Sequence, residues 1–147
     1  MLENFELKYY MELNPELKDK FFRTYAGIMN PGPEEIAYLD YVERFLNFPK
    51  TMAAAIVKGN ELCGFVIVGG KHEFGKLIGF EISGIYVNPQ YRAEFRQKFN
   101  SPMFPFLNGL AAKYAEEKDL ALHASKMTPA GAKAYKKMKE REESQNK

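Results

Sequence analysis

The stretch Leu77-Ile-Gly-Phe-Glu-Ile-Ser-Gly-Ile-Tyr-Val87, followed by Asn88-Pro-Gln-Tyr-Arg92, decides which fold this chain adopts. Isoleucine, phenylalanine and tyrosine recur along its first part, and such residues fit the pleated surface of a sheet. Pro89 has no amide hydrogen to donate to a neighbouring strand, so we expect the strand to stop there. The stretch therefore predicts a long strand that ends abruptly and is followed by a polar, basic segment.

Two shorter strands are predicted directly upstream. Met52 to Lys58 and Glu61 to Val68 are rich in apolar residues, and Gly59-Asn60 between them is typical of a tight turn. This pattern predicts an antiparallel hairpin. Gly69 to Gly75 is rich in glycine, so we expect a loop between the hairpin and the long strand.

Strands and helices are also predicted toward both ends of the chain. Asn4 to Leu13 alternates apolar and polar residues as a strand does, and Asn14-Pro15-Glu16 has the cap, proline and acid that begin a helix. A second helix is expected after Pro33. Downstream, the predicted elements are a helix over Pro102 to Glu117, a strand over Leu120 to Ala124 and a helix from Thr128-Pro129.

The predicted order of elements is β-α-α-β-β-β-α-β-α. This order indicates an α+β fold of α/β/α layers, in which helices cover both faces of a mixed, mostly antiparallel central sheet. The 147 residues are a usual length for one domain, so we expect a single domain over 1–147, with residues 140–147 as a disordered charged tail.

Composition and charge exclude several classes of protein. The apolar content of 46% is too high for a disordered chain, and no apolar run reaches the length of a membrane span. The single cysteine, Cys63, excludes an internal disulfide and a multi-cysteine zinc site, and no metal is expected. The N-terminus lacks the basic start of a signal peptide, so a cytoplasmic protein is expected. A net charge of +2 gives no reason to expect nucleic acid as a partner.

Three stretches together resemble the GNAT superfamily of acyl-CoA-dependent N-acyltransferases. Val57 to Val68 is similar to the second and third strands of that family, which form a hairpin with a glycine early in its second arm. Glu81 to Arg92 resembles its fourth strand and the V-x-P-x-x-R sequence that leads into the cofactor loop. Leu120 to Ala124, together with Ala130 to Lys137, resembles its fifth strand and the A-x-x-x-Y-x-K helix after it.

The resemblance implies where acetyl-CoA, as co-substrate, would bind. In GNAT folds the fourth and fifth strands part at their C-terminal ends, and the pantetheine arm pairs with the fourth strand like an added strand. The pyrophosphate then lies on backbone amides at the start of the following helix. By this resemblance, the implied cofactor-binding residues are Ile85, Tyr86, Val87, Arg92, Arg96, Lys98, Asn100 and Ser101.

The cofactor loop departs from the family's Q/R-x-x-G-x-G/A pattern. Aligned on Arg96, this chain has Phe99 and Ser101 where the two small residues belong, and Pro102 removes one amide donor. Two interpretations remain open. The basic side chains of Arg92, Arg96 and Lys98 replace the missing amide groups, or they form the solvated face of an ordinary loop.

Two residues are the candidates for acid–base catalysis, which amine acetylation requires. By the resemblance, Glu81 stands where some GNAT enzymes place a glutamate base, and Tyr135 matches the helix tyrosine that faces the cofactor sulfur. The alternatives are a solvent-facing glutamate at the start of the strand and a tyrosine that only packs. The sequence offers no placed Cys–His pair, so direct attack without a covalent enzyme intermediate is expected.

Two functions follow from these observations. The first is an N-acetyltransferase that moves an acetyl group from acetyl-CoA to a primary amine, on a small molecule or on a protein. The alternative, which the altered loop favours, is a catalytically degenerate GNAT-like domain that binds or regulates a protein or nucleic-acid partner. The family adds two strands after the tyrosine helix, whereas residues 139–147 have no strand pattern. Either the long N-terminal region compensates, or another chain covers the open sheet edge, for example in a homodimer.

Overall fold

A computed structural model of the protein describes residues 4–29, 51–124, 133, 136–141 and 143. Its helices and strands, in chain order, are β1 Glu6–Tyr9, α1 Pro15–Met29, β2 Met52–Lys58, β3 Glu61–Glu73, β4 Lys76–Val87, α2 Arg92–Phe99, α3 Met103–Glu117 and β5 Ala121–Ala124. Two short 3-10 helices, Tyr10–Glu12 and Pro89–Tyr91, follow β1 and β4. Residues 133, 136–141 and 143 are also helical.

The five strands form one sheet in the order β1-β2-β3-β4-β5. The first four strands pair antiparallel with their neighbours, whereas β4 and β5 are parallel. A parallel pair needs a crossover, and here the chain between β4 and β5 includes α2 and α3. The predicted fold class, a mixed and mostly antiparallel sheet with helices on both faces, is confirmed.

One face of the sheet is covered by α1. Asn14 caps this helix, because its side-chain oxygen accepts a hydrogen bond of 2.8 Å from the amide of Leu17. Leu17, Phe21 and Tyr25 recur every fourth residue, so they share one side of the helix, and all three are buried. Phe21 stacks on Phe65 of β3 with 4.3 Å between the ring centroids. This face therefore has an aromatic core.

The other face is covered by α3. Its buried residues also recur every fourth position, and they are Met103, Leu107, Ala111 and Ala115. They pack with the alternate side chains of β2, β3 and β4, among them Val66 and Phe80. Small residues in the second half of the helix bring it close to the sheet. The two cores lie on opposite sides of the central strands.

At Gly64 of β3 the helix α3 lies close against the sheet. A Cβ atom at this position would lie 2.6 Å from the Sδ atom of Met103, 2.8 Å from the backbone oxygen of Tyr86 and 3.4 Å from a methyl carbon of Leu107. Gly64 also pairs with Val87, the last residue of β4. The absence of a side chain therefore lets the first turn of α3 sit beside the end of β4.

The expected loop over Gly69 to Gly75 is a strand for most of its length. Gly69 and Gly70 pair with Glu81 and Phe80 of β4, so β3 continues to Glu73. The turn consists of Phe74 and Gly75, which both have positive φ, 51° and 78°. The prediction failed here because glycines lack the side chains that signal a strand, although their amides pair as any others do.

The segment that was expected to be a loop after β4 contains the additional helix α2. Its single buried residue is Phe95, whose ring lies 5.5 Å from that of Phe5 and 5.4 Å from that of Phe106. Asn100 ends the helix in a left-handed conformation with φ 52°. A helix forms because the rings of Phe5 and Phe106, which lie outside this segment, bury one side of an otherwise polar stretch.

Parts of the predicted pattern lie outside the described residues. These are the second helix after Pro33 and the start of the last helix at Thr128. Glu140, Arg141 and Glu143 are helical, although residues 140–147 were expected to be disordered. Lysine, glutamate and arginine are good helix formers, so they continue a helix that has already begun.

Substitution of Gly64 by alanine is expected to destabilise the fold. The new methyl group would overlap Met103 and the backbone oxygen of Tyr86, and overpacking of this kind costs about 1 to 3 kcal/mol. Gly109→Ala is the matched control, because nothing lies within 4 Å of its Cβ position on α3. That change should stabilise the protein by roughly 0.5 to 1 kcal/mol. Urea unfolding measures both, and a Gly64→Ala protein as stable as the parent would contradict the contact.

Candidate functional site

The described pairing of β4 with β5 ends half-way along β4. The parallel pairing runs from Gly79 opposite Ala121 to Ile82 opposite Ala124. Beyond Ile82, residues 84–87 of β4 pair with β3 on one side. Among the described residues no strand pairs with the other edge of residues 84–87, and we call this edge the gap. An unpaired edge of this kind can accept an extended ligand as an added strand.

A β-bulge lies at the point where the described pairing of β4 with β5 ends. Ile82 pairs with Val68 and Gly84 with Ile67, so Ser83 is an extra residue in β4 with no partner opposite it on β3. A bulge bends its strand and increases the local twist. Ser83 is also the first residue beyond the described pairing with β5.

The turn after β4 is held firmly on β3. The amide of Asn88 donates to the backbone oxygen of Cys63 over 2.8 Å, and its side chain donates to the backbone oxygen of Leu62 over 3.2 Å. The side-chain oxygen of Asn88 also accepts a hydrogen bond from the amide of Gln90. These bonds fix where β4 ends and where Pro89 turns the chain away from the sheet.

Lys98, predicted as a cofactor-binding residue, contacts the N-terminal segment. Its ammonium group donates to the side-chain oxygen of Asn4 over 2.6 Å and lies 5.9 Å from the ring centres of Phe5 and Phe99. Glu94, one helical turn earlier, binds Lys58 at the end of β2, and this hydrogen bond raises the pKa of Lys58. Both contacts lie toward β1 and β2, on the side of β3 away from the gap.

Arg92 and Arg96 extend from the other flank of α2. Residues four apart share a side of a helix, whereas an offset of two residues turns by about 200°. The two arginines therefore point away from the flank of Glu94 and Lys98. Both are exposed. Of the three predicted cationic contacts, the structure thus brings together the two arginines and separates Lys98 from them.

The start of α3 has few amide groups to offer an anion. The first bond inside the helix runs from the amide of Phe106 to the oxygen of Pro102, so the four preceding amide positions are 102 to 105. Two of these positions are proline, Pro102 and Pro105, and prolines have no amide hydrogen. Met103 and Phe104 therefore carry the donors of this turn. The residues at this helix start suit a diphosphate only in part.

Asn100 and Ser101, the last two predicted cofactor residues, link α2 to α3. Asn100 adopts the left-handed conformation that ends α2, and the hydroxyl group of Ser101 donates to the backbone oxygen of Pro102 over 3.3 Å. Ser101 is half-buried beside the start of α3. The two residues therefore shape the turn into α3.

Glu81, the predicted base, lies one residue before the end of the pairing between β4 and β5. Its backbone neighbours across the sheet are Gly69 and His123. Phe80 and Ile82 point into the core under α3, so alternation places the side chain of Glu81 on the face that α1 covers. It is half-buried, and it makes no hydrogen bond or ion pair with the part of the chain that the structure describes.

The predicted pantetheine contacts lie along the unpaired edge. Ile85 and Val87 pack in the core under α3, and Tyr86 packs on the opposite face, 5.4 Å from the ring of Phe65. Burial raises the pKa of Tyr86. The side chains of these residues hold the strand, which leaves their backbone to face the gap. Tyr135, the predicted acid, lies outside the described residues.

Sequence reasoning missed two features of this site. The bulge at Ser83 has no signal in the sequence, because an extra residue is recognised only against the partner strand. Pro105 was visible in the sequence, but its effect depends on where α3 begins.

No group of three or more His, Cys, Asp or Glu side chains gathers among the described residues. None of the described helices is long and apolar enough to cross a membrane.

Several solved structures with a similar fold are acetyltransferases. The aminoglycoside 6'-N-acetyltransferase AAC(6')-Ih from Acinetobacter baumannii is similar at a TM-score of 0.61 and 8% identity, over 92% of this chain and 88% of the other. The ribosomal-protein-alanine N-acetyltransferase from Brucella melitensis biovar Abortus 2308 is similar at 0.57 and 22% identity, over 93% and 90%.

A third structure of this kind contains the acyl donor. A predicted acetyltransferase from Clostridium acetobutylicum, solved with acetyl-CoA, is similar at a TM-score of 0.57 and 12% identity, over 93% of this chain and 88% of the other. No family model and no curated protein matches the sequence. The chain has the fold of the GNAT acetyltransferases, as its sequence motifs predicted.

Cys63 is expected to be chemically inert in the folded protein. Its side chain is fully buried, and burial raises the pKa of the thiol to about 12. At pH 8 only about one thiol in ten thousand would be ionised, and the thiolate is the reactive form. Ellman's reagent should therefore leave the native protein unmodified and find one thiol after unfolding in guanidinium. Full reaction of the native protein within minutes would contradict this burial.

Proposed function

We propose that the protein is an N-acetyltransferase that moves an acetyl group from acetyl-CoA to a primary amine. The single observation that carries this proposal is the edge of β4 over residues 84–87, which follows the bulge at Ser83 and which no described strand covers. A pantetheine arm has amide groups spaced along an extended chain, so it can pair with such an edge in the manner of a strand. The fold of the acetyltransferases described above supports the same assignment.

The proposed reaction is a direct transfer. The amine nitrogen forms a bond to the thioester carbonyl carbon, and the carbon–sulfur bond breaks with its electron pair going to sulfur. An ammonium substrate loses one proton before attack and its nitrogen loses a second afterwards, while the thiolate gains one. The products are an amide, a free thiol and one proton released to solvent.

Glu81 is the proposed base. It is half-buried at the mouth of the gap, one residue before the two strands part. Its carboxylate is not engaged by another described residue, so it remains available to take the first proton from the ammonium group. Tyr135 is the proposed acid that supplies a proton to the thiolate and regains one from the reaction intermediate.

Acetyl-CoA is expected to raise the melting temperature. At 100 times its dissociation constant a ligand adds about 2.7 kcal/mol, which for a chain of this size is a shift of about 5 to 10 °C. ATP at the same concentration is the control, since it has phosphates but no pantetheine arm. The absence of any shift at millimolar acetyl-CoA would reject the proposed function.

Glu81→Gln is expected to lower kcat/KM by about 10² to 10⁴, because loss of a general base typically has this effect. The rate should also lose the pH dependence that the carboxylate imposes. Thiol release from acetyl-CoA is followed with an aminoglycoside and with a peptide that begins with alanine. Glu73→Gln, at the exposed end of β3, is the control. An unchanged pH–rate profile in the Glu81 variant would exclude this residue as the base.

The second candidate function is a GNAT-like domain that binds a partner without catalysis. The observation that favours it is the start of α3, where Pro102 and Pro105 remove two of four amide donors. Such a domain would melt at the same temperature with and without acetyl-CoA. The melting experiment therefore separates the two functions before any amine substrate is known.

A further inference from the structure

We infer that this protein recognises its acyl donor by the pantetheine arm, and that the nucleotide diphosphate contributes little to binding. The substrate class would then be acyl-pantetheine thioesters in general, with acetyl-CoA as one member. This inference rests on the proposed function. It concerns two adjacent regions with different properties, the edge of β4 and the start of α3.

The pantetheine side of the site has a continuous run of backbone to offer. Residues 84–87 of β4 pair with β3 on one side, and no described strand pairs with their other side. The bonds from Asn88 to Leu62 and Cys63 hold the end of this run on β3. The side chains of Ile85 and Val87 pack in the core under α3 and hold this part of the strand in place. An arm that pairs here meets a rigid partner, so little ordering of the protein opposes binding.

The diphosphate side of the site is reduced. Of the first four amide positions of α3, the N-cap and the third helical residue are Pro102 and Pro105. A helix start binds phosphate through these amides and through the dipole that they carry. Two donors remain, on Met103 and Phe104. Met103 is fully buried by its contact with Gly64, so this part of the turn is fixed against the sheet.

The side of α2 that carries Glu94 and Lys98 does not replace the amide donors that are missing from the start of α3. Lys98 is bound to Asn4 and lies over the rings of Phe5 and Phe99, and Glu94 is bound to Lys58. Arg92 and Arg96 are the cations on the other flank, and both are exposed. An exposed cation near a phosphate contributes only a weak, salt-screened attraction.

The test compares two donors on the unaltered protein by calorimetry, namely acetyl-CoA and S-acetylpantetheine, which lacks the nucleotide. We expect the dissociation constants to differ by less than tenfold. A diphosphate held by several charge-assisted hydrogen bonds would separate them by about a hundredfold or more, because each such bond is worth roughly tenfold. Binding of acetyl-CoA that is tighter by tenfold or more would overturn the inference and leave the proposed function intact. If neither donor binds, both proposals are wrong.

A variant that should bind acetyl-CoA more tightly gives a second test. Pro105→Ala restores one amide in the first turn of α3 with a residue that favours helices. Acetyl-CoA should then bind about tenfold more tightly, while the affinity for S-acetylpantetheine stays the same. Gly109→Ala is the control on the same helix, because its Cβ position meets nothing within 4 Å. Equal tightening of both donors by Pro105→Ala would contradict a role at the diphosphate.

Discussion

The close approach at Gly64 is the constraint on which the rest of the structure depends. Because this residue has no side chain, Met103 and Leu107 reach the sheet beside the last residue of β4. The first turn of α3 thereby stands next to the end of the unpaired edge. A larger residue would push the helix away from the end of β4.

The candidate site is made largely of backbone. Side chains of β4 are directed into the two cores, where Ile85 and Val87 serve one face and Tyr86 the other. The proposed site therefore consists of the hydrogen-bonding groups of the strand's backbone. A site of this kind places few demands on side-chain identity.

Much of the fold was predictable because it follows local rules. Alternating apolar residues, the turn at Gly59-Asn60 and the cap at Asn14 each act over a few positions. The site was predictable only where a motif marked it. Arg92 and Arg96 share a flank because of helical spacing, but the helix itself was missed, since its reason to form is the contact of Phe95 with Phe5, about ninety positions away in the sequence.

The sequence by itself determined the type and order of most strands and helices, through proline, glycine and the period of the apolar residues. Only the tertiary structure decided how these elements form a site. The bulge at Ser83 exists only relative to the partner strand β3, and the contact of Lys98 depends on Asn4, which is 94 positions away in the sequence. Both are long-range relations between strands or segments, and no local pattern of residues encodes them.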